Sequence, residues 1–286
     1  MSEPTPADAG RVTSDVGLAS AGRVLMVGCG NMGGAMLRRW LRAGLGPAQV
    51  VVVSPSGRAM PDGVAVVRNV PYEGDEDGFD TIVLALKPQQ LGALRDDRRF
   101  GAHAPRLLLS ILAGVEEKAI AGLCGADAVV RAMPNLPVAI GKGMTALFSS
   151  AAHADARATA EALCAPLGRH EWIADEARFD AVTALAGSGP GFLFRFVDAL
   201  GAAGAALGLP EEQARRLALA TVEGSALMAA GADESPAALA DRVASKGGST
   251  REGLNVLDRD DALVTLLTET LRAAERRNRE MAAAAR

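Results

Sequence analysis

Aromatic side chains are scarce in this chain, at 3 % of 286 residues. Stacking platforms for single-stranded nucleic acid are therefore not expected. Lysine is scarce too: Lys and Arg total 30, nearly all of them Arg, against 34 Asp and Glu, for a net charge of −4. The skew toward Arg, with abundant Ala, reads as coding bias. A broad basic footprint is missing, which argues against a nucleic-acid partner. Cysteine is limited to Cys29, Cys124 and Cys164, far apart and with no C-x-x-C or Cys/His cluster. That excludes the usual zinc patterns and reads as reduced thiols of a cytoplasmic protein, so no metal is expected. No apolar run reaches the roughly 18 residues of a membrane span, and no membrane partner is expected.

What is present is globular. Hydrophobic residues make up 49 % and charged residues 22 %, enough apolar material for a sizeable core. The length suggests two domains. Residues 1–22 are rich in Pro, Ser, Ala and Gly, carry acids, and lack an apolar stretch. They read as a disordered tail rather than a signal peptide.

From residue 23 the pattern alternates. Residues 23–28 (RVLMVG) form a short β-branched run ending in glycine, as in a buried parallel strand. Further strands are expected at 49–54, 64–67, 80–86, 106–112 and 128–132, with helices between them. Residues 143–149 and 169–173 read as strands flanking a helix at about 153–167, extending the sheet's edge. The expected fold is α/β: an N-terminal Rossmann-like, doubly wound parallel sheet over 23–174, then an all-α domain over 175–286.

The first strand runs into Gly28-Cys29-Gly30-Asn31-Met32-Gly33, a G-x-G-x-x-G sequence that opens a helix. In this context each glycine has a mechanical role. Gly28 permits the tight turn, Gly30 lets backbone approach a pyrophosphate, and Gly33 lets helix pack on strand. The helix start, through Asn31 and Met32, offers N–H groups and positive dipole to phosphate. Dinucleotide binding follows, with Cys29 read as a small side chain beside the cofactor. NAD-preferring sites usually place an acid at the end of the second strand. Here that end reads Ser54-Pro55-Ser56-Gly57-Arg58. Two hydroxyls and a guanidinium suit a 2′-phosphate, so NADPH is favoured over NADH.

The second half is helical and rich in small residues. Residues 180–207 form one long helical pattern, with an interruption expected at Gly187-Ser188-Gly189-Pro190-Gly191. The small-residue run that follows suits close helix packing, and its apolar content suggests a partner subunit. Gly208-Leu209-Pro210 is a stop and restart. Farther on, Ser245-Lys246-Gly247-Gly248-Ser249-Thr250 precedes another helix. Successive N–H groups before a helix make an anion cradle, here suited to a small carboxylate. The phosphate-loop spacing of nucleoside triphosphatases is not there.

Together these segments resemble the pyrroline-5-carboxylate reductase family over about residues 22–280. VLMVGCGNMGGAML resembles its cofactor loop, and LALKPQQL its fourth-strand motif. RAMPNLPVAIGKGMTAL resembles its M-P-N-T-P stretch, with Leu136 for the usual Thr. ALAGSGPGFLFRFVDALGAAGAALGLP resembles its small-residue helix. VASKGGSTREGLNVLD resembles its signature, with Lys246 for the frequent Pro and Ser249 for the frequent Thr.

The resemblance implies NAD(P)H-dependent reduction of the cyclic imine 1-pyrroline-5-carboxylate to proline, the last step of proline synthesis. It also implies a helical dimerisation domain and a homodimer, with decamers built from dimers known in the family. By this resemblance Gly247, Gly248, Ser249 and Thr250 would hold the substrate carboxylate, and the Thr250 hydroxyl would orient the ring or donate toward its nitrogen. Ser245 would be a weaker contact, and Ser188, Gly189 and Pro190 would shape the wall. Leu86, Lys87, Pro88 and Asn135 would line the nicotinamide and ribose end. His103, His153 and His170 lie outside every motif, so no histidine acid is required.

Two other protein classes share some of these features. A β-hydroxyacid dehydrogenase shares the glycine loop, but needs a Lys on the long helix. That helix carries Arg195 and no Lys, and Arg cannot act as a base. A non-catalytic NADP-binding dimer would bind cofactor without turnover.

Overall fold

The architecture is taken from a computed structural model that describes residues 17–57, 60, 63–72 and 78–284. Eight strands form one sheet: β1 (Val24–Val27), β2 (Val50–Val53), β3 (Ala65–Val67), β4 (Thr81–Leu84), β5 (Leu107–Ser110), β6 (Val129–Pro134), β7 (Gly143–Phe148) and β8 (Gly168–Trp172). Their order is β3-β2-β1-β4-β5-β6-β7-β8. The first six strands are parallel, in the dinucleotide-fold order whose connections diverge between β1 and β4.

The central strands are short and apolar because both faces are covered. Alternate residues of one strand point to opposite faces. Val24 and Met26 join a core with Met36, Leu37 and Trp40 of α1 (Asn31–Arg42). Leu25 and Val27 join the opposite core with Leu91, Leu94 and Phe100. The latter come from the short helices α2 (Leu91–Arg95) and α3 (Arg98–Gly101), and α4 (Glu117–Ile120) adds Ile120. Each fully buried leucine-sized side chain contributes about 1.5–3 kcal/mol. Trp40 also donates its indole N–H to the Leu163 carbonyl at 2.7 Å, tying α1 to α5 (Ala154–Cys164).

Three expectations are corrected. The sheet is not parallel throughout: β7 runs antiparallel to β6. Only a single 3₁₀ turn, Leu136–Ile140, links the two, too short for the crossover that a parallel neighbour requires. Helix α5 then provides such a crossover, and β8 returns parallel to β7. Residues 17–22 do not all fall in a loose tail. Leu18–Ala21 form a 3₁₀ turn, Ala21 is fully buried, and its carbonyl accepts from the Thr81 hydroxyl at 2.9 Å. Residues 1–16 of the predicted tail lie outside the described residues.

The third correction concerns the long helix. The irregularity falls one turn earlier than expected, as a π-helical turn at Thr183–Gly187 between α6 (Phe179–Val182) and α7 (Gly189–Ala206). The Ser188 N–H donates to the Thr183 carbonyl five residues back, at 2.9 Å. Pro190 lies in the first turn of α7, where a missing N–H leaves no hydrogen bond unmade, so it begins the helix rather than breaking it.

The chain divides after Ser188 rather than near residue 174. Among the described residues one unit is 17–188 with 274–284, and the other is Gly189–Ala273. Phe179 explains the later boundary. It is buried with Met133, Ala146 and Phe148, so residues just past β8 belong to the sheet unit's core. The other unit contains α7, α8 (Glu211–Gly231), α9 (Pro236–Val243), α10 (Ser249–Asp258) and most of α11 (Ala262–Ala284). Helices α7 and α8 pack as a hairpin through small residues: a Cβ at Gly201 would stand 3.3 Å from Arg215 Cα, and one at Gly204 3.3 Å from Ala214 Cβ.

Candidate functional site

The predicted site residues fall into two sets, one in each unit. In the sheet unit, the loop after β1 meets the loop after β4. Gly28 has φ +84°, and a Cβ there would stand 2.7 Å from the Ala85 carbonyl oxygen and 2.9 Å from Leu86 Cα. Only glycine fits. Gly33 is buried, with its missing Cβ 3.0 Å from both Ala85 Cβ and Met26 Cε, so α1 lies close on the sheet.

Gly30 is different, because among the described residues nothing lies within 4 Å of its absent Cβ. It is the N-cap of α1, no side chain caps that end, and no acid occupies the first turn. Asn31 is exposed and Met32 half-buried at the same helix start. The N–H groups and positive helix end therefore face open space that a bulky side chain at Gly30 would fill. These residues fit a dinucleotide pyrophosphate.

A cleft of about 290 Å³ leads from this loop. Gly28, Val53 and Leu86 line one part, and Pro55, Arg68 and Asn69 another. Ser54 and Ser56 lie at its edge of the sheet, with their hydroxyl oxygens 3.1 Å apart. Arg58 lies outside the described residues. Asp97 also lines the cleft, but Arg99 engages it at 2.8 Å and that hydrogen bond holds its carboxyl below the usual carboxylate value. After β4, Lys87 is exposed, its N–H donates to the Gln90 side chain at 3.0 Å, and Pro88 opens a 3₁₀ turn.

Asn135 is only 9 % exposed, and its amide is already engaged. Its Oδ1 accepts from the Met144 N–H at 2.8 Å, and its Nδ2 donates to the Ala186 carbonyl at 3.1 Å. It thus joins β6 and β7 to the π-helical turn that ends beside Ser188. Two of the cysteines are inert: burial pushes the Cys124 thiol up to about 11 and the Cys164 thiol to about 12. Among the described residues, no group of three or more His, Cys, Asp or Glu is placed to hold a metal ion.

In the helical unit, Gly189 and Pro190 begin α7, and the predicted cradle begins α10. Gly247 has φ +74°, which reverses the chain. The Gly248 N–H donates to the Ser245 carbonyl at 2.9 Å, and a Cβ on Gly248 would stand 2.7 Å from Ser245 Oγ. Gly248 is the N-cap of α10, again with no side-chain cap. Ser249 and Thr250 are the first helical residues, and both are exposed. The two sets therefore share one construction: a helix N-terminus capped by a glycine and by no side chain.

Arg68 also lines the cleft, and none of the sequence motifs marks it. The missing Cβ of Gly57 stands 3.2 Å from its Nη2, so the guanidinium rests on the turn after β2. A signal existed in the sequence, because Arg68 follows β3 as Ser54 follows β2. Reading it required knowing that β3 pairs with β2.

Comparison with known proteins agrees with this geometry. A family model described as pyrroline-5-carboxylate reductase dimerisation matches residues 176–281, and one described as NADP oxidoreductase, coenzyme F420-dependent, matches residues 23–114. The chain is 34 % identical over 262 residues to a pyrroline-5-carboxylate reductase of Synechocystis sp., covering 90 % of this chain and 97 % of that one. It is 36 % identical over 246 residues to one from Aquifex aeolicus, covering 82 % and 89 %. A solved pyrroline-5-carboxylate reductase structure from Coxiella burnetii superposes with a TM-score of 0.77 at 29 % identity, covering 91 % and 98 %.

Proposed function

The chain belongs to the pyrroline-5-carboxylate reductase family, and from that premise we propose how its residues reduce 1-pyrroline-5-carboxylate to L-proline. The enzyme is an NAD(P)H-dependent oxidoreductase acting on a C=N bond, in the last step of proline synthesis. When bound, the reduced nicotinamide supplies hydride to the imine carbon.

The protein's part is binding and orientation. Gly28, Gly30, Asn31, Met32 and Gly33 hold the cofactor pyrophosphate on the N–H groups that open α1. Ser54 and Ser56, with Arg58, favour NADPH over NADH. Leu86, Lys87 and Pro88 flank the nicotinamide and ribose end. Asn135 shapes that end by holding the π-helical turn beside Ser188, and in the helical unit Gly189 and Pro190 serve the substrate. The substrate carboxylate is held by N–H groups of Gly247, Ser249 and Thr250, while the Gly248 N–H donates to the Ser245 carbonyl and closes the turn beneath. The Thr250 hydroxyl orients the ring or donates toward its nitrogen. Protonation there makes the neighbouring carbon electrophilic.

The observation that carries this reading is the repeated construction: two glycine-capped helix N-termini, one following GCGNMG and one following SKGG, each without a side-chain cap. One suits a pyrophosphate and the other a carboxylate. The chain forms a homo-oligomer through its dimerisation segment. We read the assembly as a dimer or as a decamer built from five dimers. No helix among the described residues is long and apolar enough to cross a membrane. The reduced cofactor and the buried thiols support a cytoplasmic setting.

The test is loss of NADPH absorbance by purified protein with the cyclic imine, NADH in parallel, and proline measured as product. Turnover with a preference for NADPH is expected. Tight NADPH binding without turnover would leave a non-catalytic sensor as the better reading.

A further inference from the structure

We infer that Arg68, at the end of β3, selects the cofactor by binding its 2′-phosphate in the cleft it lines with Val53, Pro55 and Asn69, beside Ser54 and Ser56. The inference rests on the NADPH reading above. It starts from strand register. β3 is the edge strand, parallel to β2, with Val67 paired to Val53 and the Ser54 N–H donating to the Val67 carbonyl at 2.8 Å. The residue after β3 thus stands beside the residue after β2, at the strand ends where open α/β sheets bind ligands.

The chain after β2 then folds back. The Gly57 N–H donates to the Ser54 carbonyl at 2.8 Å, and Gly57 has φ +65°. A Cβ at Gly57 would lie 3.2 Å from Arg68 Nη2, 3.4 Å from Cζ and 3.5 Å from Nε. Three guanidinium atoms at nearly equal distance mean that the planar group rests broadside on the glycine, and any side chain there would displace it. Arg68 is exposed, and among the described residues it forms no ion pair. Its charge faces the cleft that Gly28 also lines.

The group this cleft suits is a dianionic phosphate monoester on the ribose. Serine hydroxyls donate single bonds, and a guanidinium presents several N–H groups in one plane. A free ribose hydroxyl would instead call for a carboxylate at the end of β2, and Ser54 stands there.

The experiment measures binding of 2′,5′-ADP and of 5′-AMP by calorimetry to the full chain and to Arg68→Gln, with a thermal melt to confirm folding. KM values for NADPH and NADH are measured on both. Arg68→Gln should weaken 2′,5′-ADP about tenfold or more, and raise the KM for NADPH relative to NADH by a similar factor. Affinity for 5′-AMP should shift less than about twofold, because it carries no 2′-phosphate. Equal weakening of both nucleotides, or unchanged 2′,5′-ADP affinity, would overturn the assignment. If the unaltered chain bound 2′,5′-ADP no better than 5′-AMP, the NADPH preference would fall and Arg68's role with it, a result distinct from the other two.

Discussion

The two units of the chain use their apolar side chains in opposite ways. In the sheet unit Met26, Leu37, Trp40, Ile82 and Phe100 are fully or almost fully buried, and both faces of the sheet are covered. In the helical unit the buried apolar side chains among the described residues are Ala214, Ala218 and Ala244. Phe194, Phe196, Leu217, Leu227, Leu266 and Leu267 are exposed there. One unit carries a core of its own. The other holds its large apolar groups on the surface, as a subunit does that completes its core with a second copy. A family model for dimerisation matches that stretch of chain.

The sharpest way to break this comparison is to remove a core residue from one unit and an apolar surface residue from the other. Trp40→Ala should cost about 3–5 kcal/mol and lower the melting temperature at every protein concentration. Phe196→Asp should reduce the mass seen by sedimentation and make the remaining stability depend on protein concentration. A native mass for Phe196→Asp would mean that this face is not the interface.

Within the sheet unit, Gly30→Val separates binding from folding. Among the described residues nothing lies within 4 Å of where its Cβ would go. Melting in the absence of cofactor should therefore hold, while NADPH affinity falls about tenfold or more, since the side chain occupies the phosphate position. Full retention of affinity would remove the α1 terminus from the cofactor site.

In the helical unit, Thr250→Ala should lower kcat about tenfold to hundredfold, with the dissociation constant of NADPH nearly unchanged. An unaltered kcat would remove Thr250 from the catalytic residues.

The smallest effect concerns Asp97, the N-cap of α3, whose carboxylate accepts from the Arg99 backbone and side chain. The Arg99 hydrogen bond lowers its pKa below the ordinary 3.8. The stabilisation it brings is fully present above that value, and it is lost as pH falls through the lowered folded value. Asp97→Asn should cost about 1 kcal/mol or less at neutral pH and flatten the acid limb of a stability curve. An unchanged acid limb would show that the pair contributes nothing measurable.

The sequence by itself determined what depends on neighbours along the chain. Short strand-like runs, most of them apolar and closed by turn residues, marked all eight strands to within a few residues. Gly28-Cys29-Gly30-Asn31-Met32-Gly33 and Ser245-Lys246-Gly247-Gly248-Ser249-Thr250 marked the two uncapped helix starts. These are local signals, legible because backbone sterics and helix-end chemistry act over a handful of residues. The tertiary structure decided what depends on residues remote in the chain. The direction of β7 followed from a link too short to cross over. The later unit boundary followed from Phe179 finding Phe148 and Met133. The engagement of Asn135 required Ala186, 51 residues away, to bring a carbonyl beside it. Arg68 joined the turn at Gly57 only because β3 pairs with β2. Each of these is a contact that exists only once the chain has folded, because pairing and packing, not position along the sequence, bring the partners together.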